Sequence, residues 1–292
     1  MIFTQPRRIT ALLAGIGGLF IFFLLVAAPA SADSAEDIWK RIDALPWVHG
    51  PQQVSALENA ALQLPQHFIF LDAKGTPEFM RITQNPRDGT EVEQVFGPDD
   101  LHWFAILTFS EDGYVDDKEK IDAAAVLDSI KRGTEQANEL RKKNGWAEMF
   151  VTGWHRPPAY DPKTNRLEWA IDASEVGGGT STNFNTRILG RRGVTSAVLV
   201  TNPAHFDTDL VEFKTALAGY DFNPGDRYSE YQSGDKVAEY GLTALILGGA
   251  AAVAGKTGIL KAIGKFLWIG VVAVIAAVSS FFKRIFRSKA KS

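Results

Sequence analysis

The sequence predicts an α+β domain, an antiparallel sheet with packed helices, set between two hydrophobic ends. Three observations carry that expectation. Runs of alternating apolar and polar residues are joined by short Gly-rich turns, as hairpin-linked strands are. Segments with apolar residues at steps of three and four are separate from those runs, and hairpin-joined strands with separated helices argue for an antiparallel α+β domain. The charges are segregated: all 34 acids and 21 of the 31 bases fall between Asp33 and Glu239, a local balance of −13, and the other ten bases flank the apolar ends.

The first end has the three parts of a secretory signal peptide: Arg7-Arg8, an uncharged run from Ile9 to Val26, and the small residues Ala30-Ser31-Ala32. Cleavage after Ala32 is expected, giving a signal peptide over 1–32. The run is also long enough for an uncleaved anchor of about 20 residues. Either way the acidic part, residues 33–239, is expected to be exported. Cysteine is absent, so no disulfide or thiolate chemistry is available and stability must come from a packed core. No Asn-x-Ser/Thr glycosylation sequon occurs.

Within the exported part, Ser34 to Leu45 predicts a helix ended by Pro46. Val54 to Leu64 predicts a short helix, and His67 to Leu71 a strand. Pro77, Pro86, Gly89, Gly97 and Pro98 break the chain into short pieces around a strand beginning at Glu91. His102 to Phe109 is aromatic and aliphatic on both faces, as a strand buried on both sides is. Glu111-Asp112-Gly113 supplies a turn. Asp116 to Lys143 predicts the longest helix, with Ile121, Ala124, Leu127, Ile130, Thr134, Ala137 and Leu140 on one face. Asp116 with Glu119 forms its capping box, and Asn144-Gly145 its stop.

The period then changes to two. Glu148 to Trp154 predicts a strand, His155 to Arg166 a Pro-rich connection, and Leu167 to Asp172 an alternating strand. Gly177-Gly178-Gly179 opens a loop. Phe184 to Leu189 and Val194 to Thr201 predict strands across a Gly190-to-Gly193 turn, and Asp207 to Ala218 a helix.

The second end begins with an apolar, small-residue juxtamembrane segment over 240–258. Its Gly241, Ala244, Gly248, Ala251, Gly255, Gly258 and Ala262 form a Gly/Ala stripe, suited to close helix packing in a homo-oligomer or against another membrane protein. A run selected only for hydrophobicity reads the same way. Residues 259–282 predict a transmembrane helix in the lipid bilayer, with Lys261 and Lys265 snorkelling outward. Lys283, Arg284, Arg287, Lys289 and Lys291 make 283–292 a basic cytoplasmic tail.

Several chemistries lack their residues. A domain of −13 does not suit nucleic acid, which selects positive surfaces. Glu168 and Asp172 lie about 13 Å apart along a strand, beyond the carboxyl spacing of glycosidases. The Gly177 loop lacks the Gly-Lys-Ser/Thr ending of a phosphate loop. The five histidines, His49, His67, His102, His155 and His205, have no metal-ligand spacing. No Gly-x-Ser-x-Gly elbow marks a nucleophile. Asp112, Asp116 and Asp117 do not match a calcium loop and read as a turn and a cap. No catalytic residue, metal site or cofactor is therefore expected. The candidate ligand-binding residues are Asn183, Asn185, Arg187 and Arg191, with Arg192 beside them: guanidinium groups suited to a carboxylate, phosphate or lipid headgroup. The same arginines could instead pair with the surplus acids.

Five blocks occur in order: Gly153-Trp154; Pro158-x-Tyr160-Asp161; Leu167-x-Trp169-Ala170; Asn185-Thr186-Arg187-Ile188-Leu189-Gly190-Arg191-x-Gly193; and Gly234-Asp235-Lys236-Val237-Ala238-x-Tyr240-Gly241-Leu242. As a set they resemble bacterial membrane-anchored proteins of unknown function (domain-of-unknown-function family number 2167). The resemblance implies a signal peptide, an exported domain and a C-terminal anchor, and it transfers no reaction. The expectation is a binding or structural module of the bacterial envelope, on the inner membrane with its domain facing the periplasm or outside. The alternative is an envelope hydrolase acting on cell-wall or lipid substrates.

Overall fold

The structure, a computed structural model, describes residues 35–83, 92–143, 148–176 and 179–248. The expected signal peptide, the stop at Asn144-Gly145, residues 177–178 of the glycine loop, and everything from 249 onward, including the spanning helix and the tail, lie outside the described residues. No helix among the described residues is long and apolar enough to cross a membrane.

In chain order the elements are α1 (Ala35–Asp43), β1 (Val48–His49), β2 (Gln52–Ala56), β3 (Ala60–Leu64), β4 (Phe68–Leu71), α2 (Thr76–Ile82), β5 (Glu93–Pro98), β6 (Phe104–Ser110), α3 (Ala123–Lys143), β7 (Met149–Asp161), β8 (Arg166–Glu175), β9 (Gly179–Leu189), β10 (Val194–Val200), α4 (Phe206–Leu217), β11 (Tyr220–Phe222) and α5 (Leu242–Leu247). Eight strands form one sheet in the order β1-β4-β5-β6-β10-β9-β8-β7, and β11-β3-β2 form a second. Every pairing between named strands is antiparallel, so the α+β expectation holds.

The register sorts the large sheet into two faces, because directly paired residues point the same way. The back face carries Phe70, Phe96, Ala105, Leu107, Ala170, Phe184, Ile188, Ala197 and Leu199, packed against α4 and the small sheet. The front face is covered in two places. Ile69, Leu71, Val95, Phe104, Ile106 and Val200 pack under α1 and α2. Leu167, Trp169, Leu189 and Val194 pack under α3 and α5.

Four expectations are corrected. Val54 to Leu64 is a hairpin, β2 and β3, not a helix: Val54, Ala56, Ala60, Leu62 and Leu64 are all buried, a period of two. Its turn is fixed by Leu57 at φ 60° and by its amide donating to Gln94 Oε1 at 2.7 Å. Pro77 begins α2 rather than breaking the chain, since the first helical turn needs no proline N–H.

The long helix starts at Ala123, not Asp116. Asp122 Oδ1 accepts the Ala124 and Ala125 amides, while Glu119 accepts the Thr243 amide and so caps α5 instead of closing a box with Asp116. The stretch before it is held on the domain by Tyr160, whose hydroxyl donates to Asp117 at 2.8 Å. Finally, His155 to Asp161 continues β7. Pro157 and Pro158 fit because β7 is an edge strand, with register shifts on both sides of Arg156.

The segment from 240 also begins as part of the domain: Leu242, Leu245 and Ile246 are buried with α3 in the core. Gly241 and Gly248 bracket α5 rather than line it, Gly248 closing it at φ 110°.

Candidate functional site

β9 owes its two faces to alternation. Phe184 and Ile188 turn to the back core, and Thr186 lies with them. Ser181, Asn183, Asn185 and Arg187 turn to the front. Three of the four candidate residues therefore share one strand face, together with Ser181, which the sequence did not single out.

That face lies between the two helical covers. α2 packs on β5, and α3 packs on β7. The neighbours of the ladder across the register are Ile171 and Trp169 on β8, Val198 and Ser196 on β10, and then Thr108 on β6. Ile171, Val198, Ser196 and Thr108 keep partial exposure although they stand on inner strands. Ser181, Asn183 and Asn185 sit deeper, 8, 7 and 5% exposed. The Ser181 hydroxyl has no hydrogen-bond partner. Neither amide side chain has one among the described residues. A buried hydroxyl left unpaired costs about 1–3 kcal/mol. With the Ser181 hydroxyl shut from solvent and the two neighbouring amides, which keep some solvent access, making no protein hydrogen bond, the strip is a place where something else can supply partners.

Arg187 closes the ladder. Its guanidinium donates to Ser196 Oγ at 2.6 Å and lies over the Trp169 ring at 4.9 Å. Arg191 is not part of the strip. It grips Asp235 with two hydrogen bonds, 2.7 and 2.8 Å, and with a backbone amide from Gln232 holds that carboxyl down at about 2. Arg192 pairs with Asp226 at 2.6 Å. These two arginines follow the acid-pairing alternative, and they fasten the 225–235 loop to the β9–β10 turn.

A second cluster was missed because its members are far apart in sequence. His102 Nδ1 meets Asp100 at 2.5 Å, and its Nε2 faces Glu212 at 3.1 Å and Asp209 at 3.6 Å. Trp103 Nε1 donates to Glu212 at 3.0 Å, and the Thr201 hydroxyl donates to Asp209. Asp209 is 2% exposed. Burial pushes its pKa up, against the Thr201 bond and the nearby charges of His102 and His205. Burial also pulls His102 down, but the Asp100 bond and the charges of Asp100, Asp209 and Glu212 outweigh it, so His102 is raised. Both ring nitrogens face carboxylates, which makes this a charge lock between the start of β6 and α4.

The remaining acids singled out earlier are also paired. Glu168 accepts from Lys214, and Asp172 accepts the Thr182 hydroxyl at 2.6 Å and faces His155 Nδ1 at 3.1 Å. No group of three or more His, Asp or Glu among the described residues is arranged to hold a metal ion.

Fold and site together define an α+β sheet domain with a polar, partly enclosed strip on its front face. The chain belongs to the family described as protein of unknown function (DUF2167), whose profile matches residues 49–279. Among solved structures it is similar to the solution structure of cyanobacterial PsbP (CyanoP) from Synechocystis sp. PCC 6803, at 14% identity and a TM-score of 0.36, covering 59% of this chain and 92% of that one. No curated protein matches.

Proposed function

We propose that this chain is a binding module of the bacterial envelope: an exported domain held at the inner membrane by residues 259–282, taking a small polar ligand into the front strip of its sheet. The apolar, base-flanked ends support the tether, since the basic tail favours a cytoplasmic end. The observation that carries the binding role is the ladder of Ser181, Asn183 and Asn185: the three residues are more than nine-tenths buried, and the Ser181 hydroxyl is shut from solvent without a partner. The hydrolase alternative needs a nucleophile against a free imidazole nitrogen. In the His102 cluster both nitrogens already face acids, and His155, which turns Nδ1 to Asp172, has no serine or threonine hydroxyl hydrogen-bonded to its ring among the described residues.

The test uses full-length protein extracted from its own membranes in detergent. On denaturation, wild-type protein is expected to release a low-molecular-weight compound detectable by mass spectrometry. The Asn183→Leu/Asn185→Leu protein, folded by circular dichroism, is expected to release none. Wild-type protein that releases nothing overturns the binding role. In whole cells, domain epitopes resistant to protease after the outer barrier is opened would overturn the orientation.

A further inference from the structure

From the spacing and chemistry of the ladder we infer that its ligand is a short peptide, held in extended form by its main chain; this rests on the binding role above. Alternate residues of a strand stand about 6.7 Å apart, twice a rise of 3.3–3.4 Å. Ser181, Asn183 and Asn185 therefore present polar groups at that interval along one face. An extended peptide repeats its same-side main-chain groups at the same interval, because it has the same backbone geometry. Sugar rings in a linear chain have no reason to match it.

The donor and acceptor count agrees. Each Asn side chain is itself an amide, with one carbonyl acceptor and two N–H donors. Its N–H can donate to a peptide C=O and its carbonyl oxygen can accept from a peptide N–H at one station. Two such stations with Ser181 beyond them complement a tripeptide, whose extended length is about 10 Å.

The walls supply the rest. Ile171 lies beside Asn183 across the register, and Val198 beside Asn185. Both keep partial exposure, so each side of the strip offers an apolar surface for a small aliphatic side chain. The Arg187 charge stands two residues past Asn185 on the same face, next to Ser196. It sets a positive potential at one end of the strip, which orients a peptide with its C-terminal carboxylate toward β9's end.

Isothermal titration of the full chain in detergent tests this, with trialanine, trialanine C-terminal amide and a β-1,4-linked disaccharide as probes. Trialanine is expected to bind, its amide to bind more weakly, and the disaccharide to give no heat. Asn185→Leu is expected to weaken trialanine about tenfold, the loss of about 1.4 kcal/mol from a main-chain bond pair. Thr186→Val is the control for folding and position: that hydroxyl is fully buried on the back face, and trialanine affinity should be unchanged. Disaccharide binding that Asn185→Leu abolishes, with trialanine silent, overturns the peptide class and leaves the binding role standing. Silence from all probes together with no compound released on denaturation overturns both. Trialanine binding unaffected by Asn185→Leu overturns the ladder as the site.

Discussion

Replacing His102 by Gln tests the charge lock and can be worked through from the structure. Asp209 is 2% exposed and its carboxylate keeps only the Thr201 hydroxyl once the imidazolium is gone. Breaking a buried ion pair from one side costs about 3–5 kcal/mol. The His102 ring retains 32% exposure, so water reaches that side and we expect less than that range, about 2–3 kcal/mol. For a domain of this size that is a fall in Tm of about 5–10 °C.

The pH dependence makes the test specific. His102 is raised above its ordinary 6.5. Its contribution is therefore fully present below pH 6.5 and lost as pH rises through the folded value. Asp209 is raised above its ordinary 3.8. Its protonated form suits the fold, so acid relieves the stranded carboxylate in the variant. The gap in stability between wild type and His102→Gln should be widest near pH 6 and narrow toward both pH 4 and pH 9. Denaturant melts at these pH values measure it. In an Asp209→Asn background the His102→Gln cost should shrink by about 1–2 kcal/mol, the coupling of a double-mutant cycle. A gap that is constant from pH 4 to pH 9, or strict additivity, would refute the lock.

Two shorter expectations concern the loop and turn beside the strip. Asp235 should titrate at about 2 by NMR and move up toward 3.8 in Arg191→Ala; as a depressed acid it stabilises the fold above pH 3.8, and that contribution is lost as pH falls through about 2. An unmoved Asp235 would show that the backbone amide, not the guanidinium, holds it. Gly193→Ala should be strongly destabilising and cost several degrees in a thermal melt, because the new Cβ would lie 2.0 Å from the Ser110 carbonyl oxygen. A wild-type melting curve for Gly193→Ala would show that the β10–β6 contact yields.

The strands and helices that sequence periodicity revealed are those whose burial is one-sided or complete. β6 is apolar on both faces because the back core and the α1–α2 cover enclose it. α4 shows its stripe because one side meets Phe184 and Trp103 while the other is wet. The failures have a common cause. Val54, Leu57, Ala61 and Leu64 are spaced as a helix face would be, and remote partners favour the hairpin: β11 pairs with β3, and Gln94, 37 residues away, accepts the Leu57 amide. Asp116 and Glu119 are spaced for a cap, yet Glu119 serves Thr243, 124 residues on. Local spacing cannot choose between two legal conformations when the deciding partner is remote. β7 misled for a different reason: prolines argue against a central strand, and nothing local says that a strand is at the edge.

The site was half legible for related reasons. Asn183, Asn185 and Arg187 drew notice as a basic group and its polar neighbours in an acidic domain, but the expected strand began at Phe184, and only the longer β9 puts all three on one face. Arg191 drew notice with them, but it lies beyond the strand, where the turn lets its side chain swing to Asp235. What sequence alone could not supply was depth. A polar strand face ordinarily faces water and needs no explanation. Here the front face is covered at both ends by helices that arrive from opposite parts of the chain, α1 and α2 from the start and α3 and α5 from the middle and end. Only that arrangement turns an ordinary wet face into a half-closed one, with a buried Ser181 hydroxyl and two largely covered asparagines. Leaving the Ser181 hydroxyl unpaired costs about 1–3 kcal/mol, a sizeable share of the about 5–15 kcal/mol stability of a typical domain. Asn183→Leu/Asn185→Leu therefore separates the cases by binding and not by stability: ordered water alone and a peptide site both predict a variant about as stable as wild type or more so, but only a peptide site predicts the loss of trialanine binding.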